Sequence, residues 1–423
     1  MTSSQLHKRL SVEQVKGLLD KYLAKEIKAK EAQAYLGLGK SRFYELVIRY
    51  EEQGSSFTIE YERTAPTRKI DPAIERNIRI ELQRDQALIK NPDVPVRRYN
   101  YSYVRDELKR QHNQTVSVNT IINRAKEWGY HLGKPPKKKH EREVLTNYTG
   151  ELVQHDASHH LFVPLLGKKL VLITSLDDFS RALLYADFWE RETTWNHLQA
   201  AQIVVCEYGV PHRWYADQHA IFRYMKSRDK QSPWREFSQF TDDVDPQYKQ
   251  ALRELNIELV YALSPQAKGK IERPYQWIQD RVVRTCMRER IDTVEAARKI
   301  LGNLVYQYNW KWRHSTTGEI PMERYQDAIR EKKSLWRPLE LQPPFADVQD
   351  IFCLRTKRIV DPYRRVSINK LKLAVPGVPP RQEVELRMTP DEKKQVVEVR
   401  FWFKGHCAGR TMVKLQELPI VRF

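Results

Sequence analysis

Cysteine is scarce in this chain: only four of the 423 residues are cysteines, and no two of them form a CxxC pair. The first 150 residues contain no cysteine at all. A disulfide framework and a cysteine-based zinc module are therefore not expected. His155, His159 and His160 lie close together, but no cysteine or further histidine stands at ligand spacing from them. A zinc site at these histidines is not expected either.

Long apolar runs are also missing. No window approaches 18 uninterrupted apolar residues, so a membrane-spanning helix is not expected. Charged side chains interrupt the apolar positions of the first 25 residues, which argues against a signal peptide. We therefore expect a cytoplasmic protein.

Positive charge is in excess. The chain has 73 basic and 54 acidic residues, and its net charge is +19. Residues 1–150 carry +10, residues 151–330 carry +1, and residues 331–423 carry +8. Two basic flanks around a nearly neutral centre predict a polyanionic partner such as nucleic acid. A basic surface without a specific partner remains the alternative on charge alone.

Residues 1–60 show the pattern of a helix-turn-helix DNA-binding domain. Ser11 and Gln14 resemble a capping box at the start of a first helix. A short helix near 31–36, a glycine-containing break and a further helix follow. The N-terminal end of that last helix would present four side chains to base edges: Lys40, Ser41, Arg42 and Tyr44. A plain helical hairpin would make the same pattern.

Residues 64–133 predict a second helix-turn-helix or winged-helix-like unit. Asp71 before Pro72 is typical of a helix start, and further helices are expected near 100–111 and 117–128. The last helix carries polar residues suited to DNA contacts: Asn119, Thr120, Asn123 and Arg124. Residues 134–147 form a basic linker that prolines should keep extended. Its Lys137, Lys138 and Lys139 either follow a DNA backbone or belong to a simple spacer.

Residues 148–330 predict a layered α/β domain. Strand patterns and helix patterns follow one another in this order: strands at 151–156, 169–176 and 182–188, a helix at 193–208, a strand at 213–217, a helix at 246–255, a strand at 258–262 and a long helix at 267–290. Residues 345–423 contain short strand patterns separated by turns, which predict a small SH3-like β-barrel.

Three carboxylates fall where the elements of the α/β domain end or begin. Asp156 lies in the first strand, Asp217 ends a buried strand, and Glu272 lies near the start of the long helix. Hard oxygen ligands on such a scaffold favour Mg²⁺ or Mn²⁺. Two ions about 3.5–4 Å apart could activate a water or a 3′-hydroxyl and stabilise the leaving oxygen of a phosphodiester.

Other interpretations of these carboxylates exist. An isolated Asp is often a strand-end cap, but an unpaired carboxylate in an apolar run is costly, which favours a metal at Asp156 and Asp217. Glu272 could instead form a solvated pair with its helix neighbour Lys268. Asp177 and Asp178 are rival ligands, although turn chemistry explains them well.

Several motifs of residues 150–330 are similar to those of the integrase catalytic core, an RNase H-like fold that retroviral integrases and DDE transposases share. The matching motifs are the Asp156 segment with Ser158 and His160, Asp178-x-Ser-Arg181, Tyr215-x-Asp-x-His-x-x-Phe222, and Ser264-Pro-Gln-Ala-Lys-Gly-Lys-Ile-Glu-Arg273. Among these proteins, the chain most resembles bacterial insertion-sequence transposases of the ISNCY group. The resemblance extends to nearly the whole chain, since tandem helix-turn-helix units and a C-terminal barrel flank the core in such proteins.

The resemblance implies a DDE transposase in which Asp156, Asp217 and Glu272 are the catalytic metal ligands. The metal would be Mg²⁺, with Mn²⁺ as a substitute, and each site would hold two ions. Water would first cleave the end of the element, and the exposed 3′-hydroxyl would then attack target DNA. The N-terminal units would bind the terminal inverted repeats, the barrel would hold flanking or target DNA, and the protein would be at least a dimer on DNA in the bacterial nucleoid. A catalytically inactive DNA-binding regulator and an RNase H-like nuclease without strand transfer remain alternatives.

Basic and histidine side chains near the three carboxylates complete the expected site. Lys268, Lys270 and Arg273 surround Glu272 and are expected to hold DNA phosphates, although a generic basic helix face would look the same. His160 and His219 are candidates for a hydrogen bond to a ligand carboxylate or to a phosphate.

Overall fold

The structure is a computed structural model that describes residues 6, 9–59, 70–132, 146–216, 247–261, 269–368 and 371–418, with residues 269–273 described in their backbone only. The chain divides into two units, Met1–Arg76 and Asn77–Phe423. Within the described ranges, no helix is long and apolar enough to cross a membrane.

The N-terminal unit contains three helices: α1 (Val12–Leu23), α2 (Ala29–Leu36) and α3 (Lys40–Gln53). The predicted capping box is present, because Ser11 and Gln14 each accept a hydrogen bond from the backbone N–H of the other. Gly37 ends α2 in the left-handed conformation, with φ at 62°, which favours glycine. The helices bury one shared apolar cluster that includes Val15, Leu19, Leu36, Phe43 and Val47.

Three further helices precede the first sheet: α4 (Pro72–Lys90), α5 (Tyr101–His112) and α6 (Val118–Glu127). The side chains of Asn100 and Ser117 cap α5 and α6 by accepting hydrogen bonds from backbone N–H groups. One residue row on each helix is fully buried, as the helical periodicity of the sequence requires: Ile78 and Leu82 on α4, Val104 and Leu108 on α5, and Ile121 and Ala125 on α6.

A five-stranded mixed sheet forms the centre of the second unit, in the order β3-β2-β1-β4-β5. The strands are β1 (Leu152–His160), β2 (Leu170–Asp177), β3 (Leu183–Trp189), β4 (Arg213–Ala216) and β5 (Glu258–Tyr261). β1, β2 and β3 are antiparallel, whereas β4 runs parallel to both β1 and β5. This mixed sheet with helices fits the integrase-core-like fold that the sequence resemblance predicts.

Helices cover both faces of that sheet, and the side-chain alternation of the strands decides which residues meet them. α7 (Thr194–Tyr208) and α8 (Gln247–Glu254) contribute to the apolar cluster of one face, which includes Val153, Ile173, Leu198, Trp214 and Tyr248. α9 (Gly269–Arg288) and α10 (Val294–Trp310) contribute to the other, with Leu170, Leu172, Ile278, Val282 and Leu301. A fully buried Leu or Val side chain contributes about 1.5–3 kcal/mol. α11 (Pro321–Arg330) follows.

The C-terminal region corrects one expectation, because its described strands do not close into a barrel. β6 (Leu354–Ile359), β9 (Glu383–Asp391), β10 (Val396–Phe403) and β11 (His406–Lys414) form an antiparallel sheet in the order β11-β10-β9-β6. β7 (Arg365–Ile368) and β8 (Leu371–Ala374) form a separate hairpin. Among the described residues, the outer edges of β6 and β11 pair with no strand. The apolar side chains of both pieces instead join the cluster on the α7 face of the central sheet.

Candidate active site

Asp156 lies on β1, on the strand face that packs against α9. Its partner in the antiparallel register is Thr174 of β2. Residues 152–155 of β1 are buried, and residues 156–158 are half-buried. Asp156 therefore occupies the point where the strand passes from the interior towards the surface.

Two contacts hold α9 against this part of the sheet, one from β2 and one from β1. The Thr174 hydroxyl donates to the Tyr275 hydroxyl at 2.9 Å, and the Gln279 amide donates to the Ser158 hydroxyl at 2.7 Å. Burial raises the pKa of Tyr275 well above its ordinary value, and the negative charge of Asp156 raises it further. The carboxylate of Asp156 is therefore close enough to α9 to act on it electrostatically.

The other two predicted carboxylates lie at the limits of the described structure. β4 ends at Ala216, and Asp217, the next residue in sequence, lies outside the described residues. Glu272 belongs to the first turn of α9, and its side chain lies outside the description as well. The geometry of the three carboxylates relative to one another therefore stays a prediction.

The metal site also stays a prediction. Among the described side chains, no group of three or more His, Cys, Asp or Glu residues could hold a metal ion. Asp156 is the only one of the three expected ligands in that set. A partly exposed carboxylate is the ligand type that Mg²⁺ and Mn²⁺ prefer, so Asp156 fits the expected chemistry.

Asp177 and Asp178, the rival ligands, have other partners. Both are fully buried. Asp177 accepts from the Gly150 backbone N–H at 2.8 Å and from the Ser180 hydroxyl at 2.6 Å. Asp178 accepts from Gln154 at 2.6 Å and forms an ion pair with Arg181 at 3.1 Å. These contacts support the turn interpretation of the pair.

Of the two candidate histidines, only His160 lies in the described part of the chain, while His219 lies outside it. His160 is half-buried on the same face of β1 as Asp156. Burial lowers its pKa, and the positive charge of Lys169 lowers it further. His160 lies four positions after Asp156 on the strand, or about 13 Å away. That distance is too long for a hydrogen bond to the Asp156 carboxylate.

A buried histidine pair lies on the opposite face of β1 and was not predicted from the sequence. His155 shares one hydrogen bond with the Ser175 hydroxyl at 2.8 Å and another with His197 of α7 at 2.7 Å. His197 is also within 3.1 Å of Glu192. The sequence offers no signal for this contact, because 42 residues separate the two histidines.

The predicted DNA-contacting residues are only partly described. Lys40, Ser41, Arg42 and Tyr44 are all exposed at the start of α3. On α6, Asn119 and Asn123 are exposed, and Thr120 and Arg124 are half-buried. Lys137, Lys138, Lys139 and Lys268 lie outside the described residues, as do the side chains of Lys270 and Arg273.

α9 carries an arginine series that the sequence analysis missed. Arg281 forms an ion pair with Asp106 at 2.8 Å, and Arg284 forms one with Asp85 at 2.8 Å. Arg288 is paired with Asp85 at 3.1 Å and also contacts Glu81. Arg281 and Arg284 are both buried. Their helical spacing was visible in the sequence, but their partners on α4 and α5 were not.

Comparisons with known proteins confirm the resemblance to transposases. No family model matches the chain. It is 27% identical over 260 residues to the putative transposase y4bF of Sinorhizobium fredii, covering 61% of this chain and 51% of the relative. It is 30% identical over 213 residues to the transposase for insertion sequence IS1202 of Streptococcus pneumoniae, covering 50% of this chain and 43% of the relative. The chain therefore spans about half the length of the curated relatives it matches.

Solved structures similar to the chain include viral integrases. The HTLV-2 integrase catalytic core domain in complex with magnesium is 16% identical, with a TM-score of 0.31, and the match covers 44% of this chain and 99% of that one. The simian T-cell lymphotropic virus intasome is 12% identical, with a TM-score of 0.33, and that match covers 71% of this chain and 89% of the other.

Proposed function

We propose that this chain, a relative of insertion-sequence transposases, is a DNA transposase that binds the terminal inverted repeats of a mobile element and catalyses metal-dependent cleavage and strand transfer. The observation that carries the proposal is the position of Asp156: half-buried on β1, beside a parallel strand that ends one residue before Asp217, and under the helix that begins near Glu272.

The described geometry supports a site that all three carboxylates share. β1 and β4 are parallel, with Gln154 beside Tyr215, so both strands run towards the same edge of the sheet. Positions 272 and 275 of α9 are three residues apart and share a helix face. The Tyr275 hydroxyl meets Thr174, which is the register partner of Asp156.

Asp156, Asp217 and Glu272 would hold two Mg²⁺ or Mn²⁺ ions, which when bound activate the attacking oxygen and stabilise the charge on the scissile phosphate. In the first reaction, water attacks the phosphorus at the end of the element and the 3′-oxygen leaves as a hydroxyl. In the second, that 3′-hydroxyl attacks a target phosphodiester and a target 3′-oxygen leaves. One phosphodiester forms for each one broken, so strand transfer needs no external energy source.

The protein's own part in this chemistry is to fix the geometry. β2 holds the backbone at Asp156 through the pairing with Thr174, and β4 holds the same strand two residues earlier, at Gln154. The Thr174–Tyr275 and Ser158–Gln279 hydrogen bonds attach α9 to β2 and to β1 on either side of Asp156. A catalytic group held this way loses little entropy when the substrate binds.

DNA recognition falls to the basic flanks. The exposed residues at the start of α3 and on α6 would read the terminal repeats, and the basic C-terminal sheet would hold flanking or target DNA. Because two element ends must be joined to one target, the protein would act as at least a dimer on DNA.

The test is cleavage of a supercoiled donor plasmid and strand transfer with purified protein in Mg²⁺ or Mn²⁺. Asp156→Asn should reduce both by about a thousand-fold, since a lost metal ligand removes several kcal/mol of transition-state stabilisation. DNA binding should be retained. Asp187→Asn is the matched control, because Asp187 lies on β3 in a partly exposed ion pair with Arg298.

Each other outcome has a distinct meaning. Full activity in Asp156→Asn would reject the assigned site, and joint loss of binding and activity would show that Asp156 is structural. A wild-type protein that binds DNA and cleaves nothing would be a DNA-binding regulator. Hydrolysis without strand transfer, with oligonucleotide ends already cut, would indicate a nuclease.

A further inference from the structure

A groove of about 260 Å³ lies between α9 and the loop that joins α4 to α5. Residues 95–98 of the loop form one wall, and His160, Gln276 and Gln279 contribute to the other. We call this feature the α9 groove. It lies on the Asp156 face of β1, because His160 and Asp156 share that face and Gln279 bonds Ser158 between them.

The loop wall of the α9 groove is firmly attached to α9. Val94 and Val96 are buried in one cluster with Val283. The guanidinium of Arg284 donates to the carbonyl of Arg98. The side-chain amide of Asn100 donates to Asp280 at the end of the loop. The backbone of the loop is therefore fixed, whereas its two arginine side chains are exposed.

The α9 groove is positively charged. Neither Arg97 nor Arg98 forms an ion pair with a described residue, although Arg97 donates to the Val94 carbonyl at 2.8 Å. Lys169, whose charge acts on His160, is likewise without an ion pair in the described part of the chain. Among the described residues that line the groove, Asp280 is the one carboxylate, and it forms an ion pair with Arg284 at 2.9 Å. Fixed, exposed arginines without an acidic partner are typical of a phosphate-binding surface.

We propose that the α9 groove binds the sugar–phosphate backbone of the DNA strand whose scissile phosphate lies at Asp156, and that Arg97 and Arg98 pair with its phosphates. This inference rests on the proposed function. The distance of about 13 Å along β1 from Asp156 to His160 places the α9 groove within a few nucleotides of the scissile phosphate on that strand. Contacts of this kind position DNA without reading its sequence.

The first test compares Arg97→Gln/Arg98→Gln with wild type in binding to a labelled duplex taken from the DNA that flanks the gene. Glutamine keeps a hydrogen-bond donor and removes the charge, and both arginines are exposed, so the loop should fold normally, which circular dichroism checks. Each lost phosphate contact should reduce the steepness of the slope of log affinity against log salt concentration by about 0.9. The slope of the double variant should therefore be shallower by about 1.8. We expect at least a tenfold weaker affinity at moderate salt. Lys299→Gln/Arg330→Gln, which removes two exposed cations from α10 and α11, should leave the slope unchanged.

The second test replaces single phosphates of the duplex with neutral methylphosphonates. Wild-type protein should lose affinity when the methylphosphonate occupies one or two positions, which lie within a few nucleotides of the cleaved bond on one strand. The affinity of the double variant should not fall further when a methylphosphonate occupies those positions. Equal sensitivity in both proteins, or an equal effect of the control pair on the salt slope, would overturn the proposal.

Cleavage by the same wild-type preparation separates this inference from the proposed function. Cleavage by wild type together with unchanged binding by Arg97→Gln/Arg98→Gln would reject the α9 groove and leave the transposase proposal standing. Absence of cleavage would reject the proposed function, and the assignment of the groove with it.

Discussion

Replacing Arg284 by Met should destabilise the second unit severely. The side chain of Arg284 is 1% exposed, and its ion-pair partner Asp85 is 0% exposed. Methionine keeps the apolar stem packed but removes the charge. Asp85 is paired with two arginines in the wild type, and only Arg288 remains in the variant. Because removal of one partner leaves an uncompensated buried charge, we expect the free energy of unfolding to fall by about 3–5 kcal/mol.

The cost of Arg284→Met should depend on pH in a defined direction. Burial raises the pKa of Asp85, and the charges of Arg284 and Arg288 oppose that rise. Without Arg284 the folded-state pKa rises further. A carboxyl whose folded pKa exceeds its unfolded value contributes stability that is fully present below the unfolded pKa and is lost as pH rises through the folded one. The variant should therefore be closer to wild type at about pH 5 than at about pH 8.

Urea denaturation followed by tryptophan fluorescence measures this effect, since all ten tryptophans lie beyond residue 76 and report on the second unit. Lys168→Met is the control: its ion pair with Glu190 is exposed, so its loss should cost about 0–1 kcal/mol. Asp85→Asn/Arg284→Met should be less destabilised than the sum of the two single variants. A loss no larger than that of the control, or strict additivity, would refute the reasoning.

Two further substitutions test the packing around β1. Gly150→Ala would place a methyl group 2.7 Å from the Trp336 ring at a φ of +73°, and we expect a loss of about 2–5 kcal/mol in urea denaturation. Gly167→Ala, with φ at +70° and no atom within 4 Å of the added carbon, should lose only about 1–2 kcal/mol, and equal losses would contradict the steric argument. His197→Ala leaves a buried nitrogen of His155 without that partner and should cost about 1–3 kcal/mol by the same measurement, whereas His212→Ala, at an exposed side chain, should be neutral.

Local patterns predicted most elements of the central domain. The apolar run at 169–176 corresponds to β2, where every residue is buried, and the helix expected at 193–208 corresponds to α7. The long helix expected at 267–290 corresponds to α9, where Ile278 and Val282 are fully buried. These elements were predictable because their periodicity is strong and their neighbours are close in sequence.

Contacts between distant segments could not be predicted in the same way. Arg288 meets Glu81 across 207 residues, and no local spacing indicates such a partner. The predicted barrel is not confirmed for a related reason: closure depends on whether the edges of β6 and β11 meet, and within the described residues neither edge pairs with another strand. The strand pattern of β11 is weak, because Gly409 lies near its centre and its sequence lacks a clear alternation.

Helix α9 fixes the distance between the arginine contacts at one of its ends and the candidate active site at the other. Glu272 and Arg288 stand 16 residues apart on one helix, or about 24 Å. Ion pairs attach the arginine end of α9 to α4 and α5. The other part of the helix packs along the strand that carries Asp156. If α6 reads a base sequence near the end of the element, the length of α9 sets the number of base pairs between that sequence and the cut. Both ends of the element would then be cut at the same distance from the recognised sequence. Protein geometry, rather than recognition of the bases at the cut, would fix that distance.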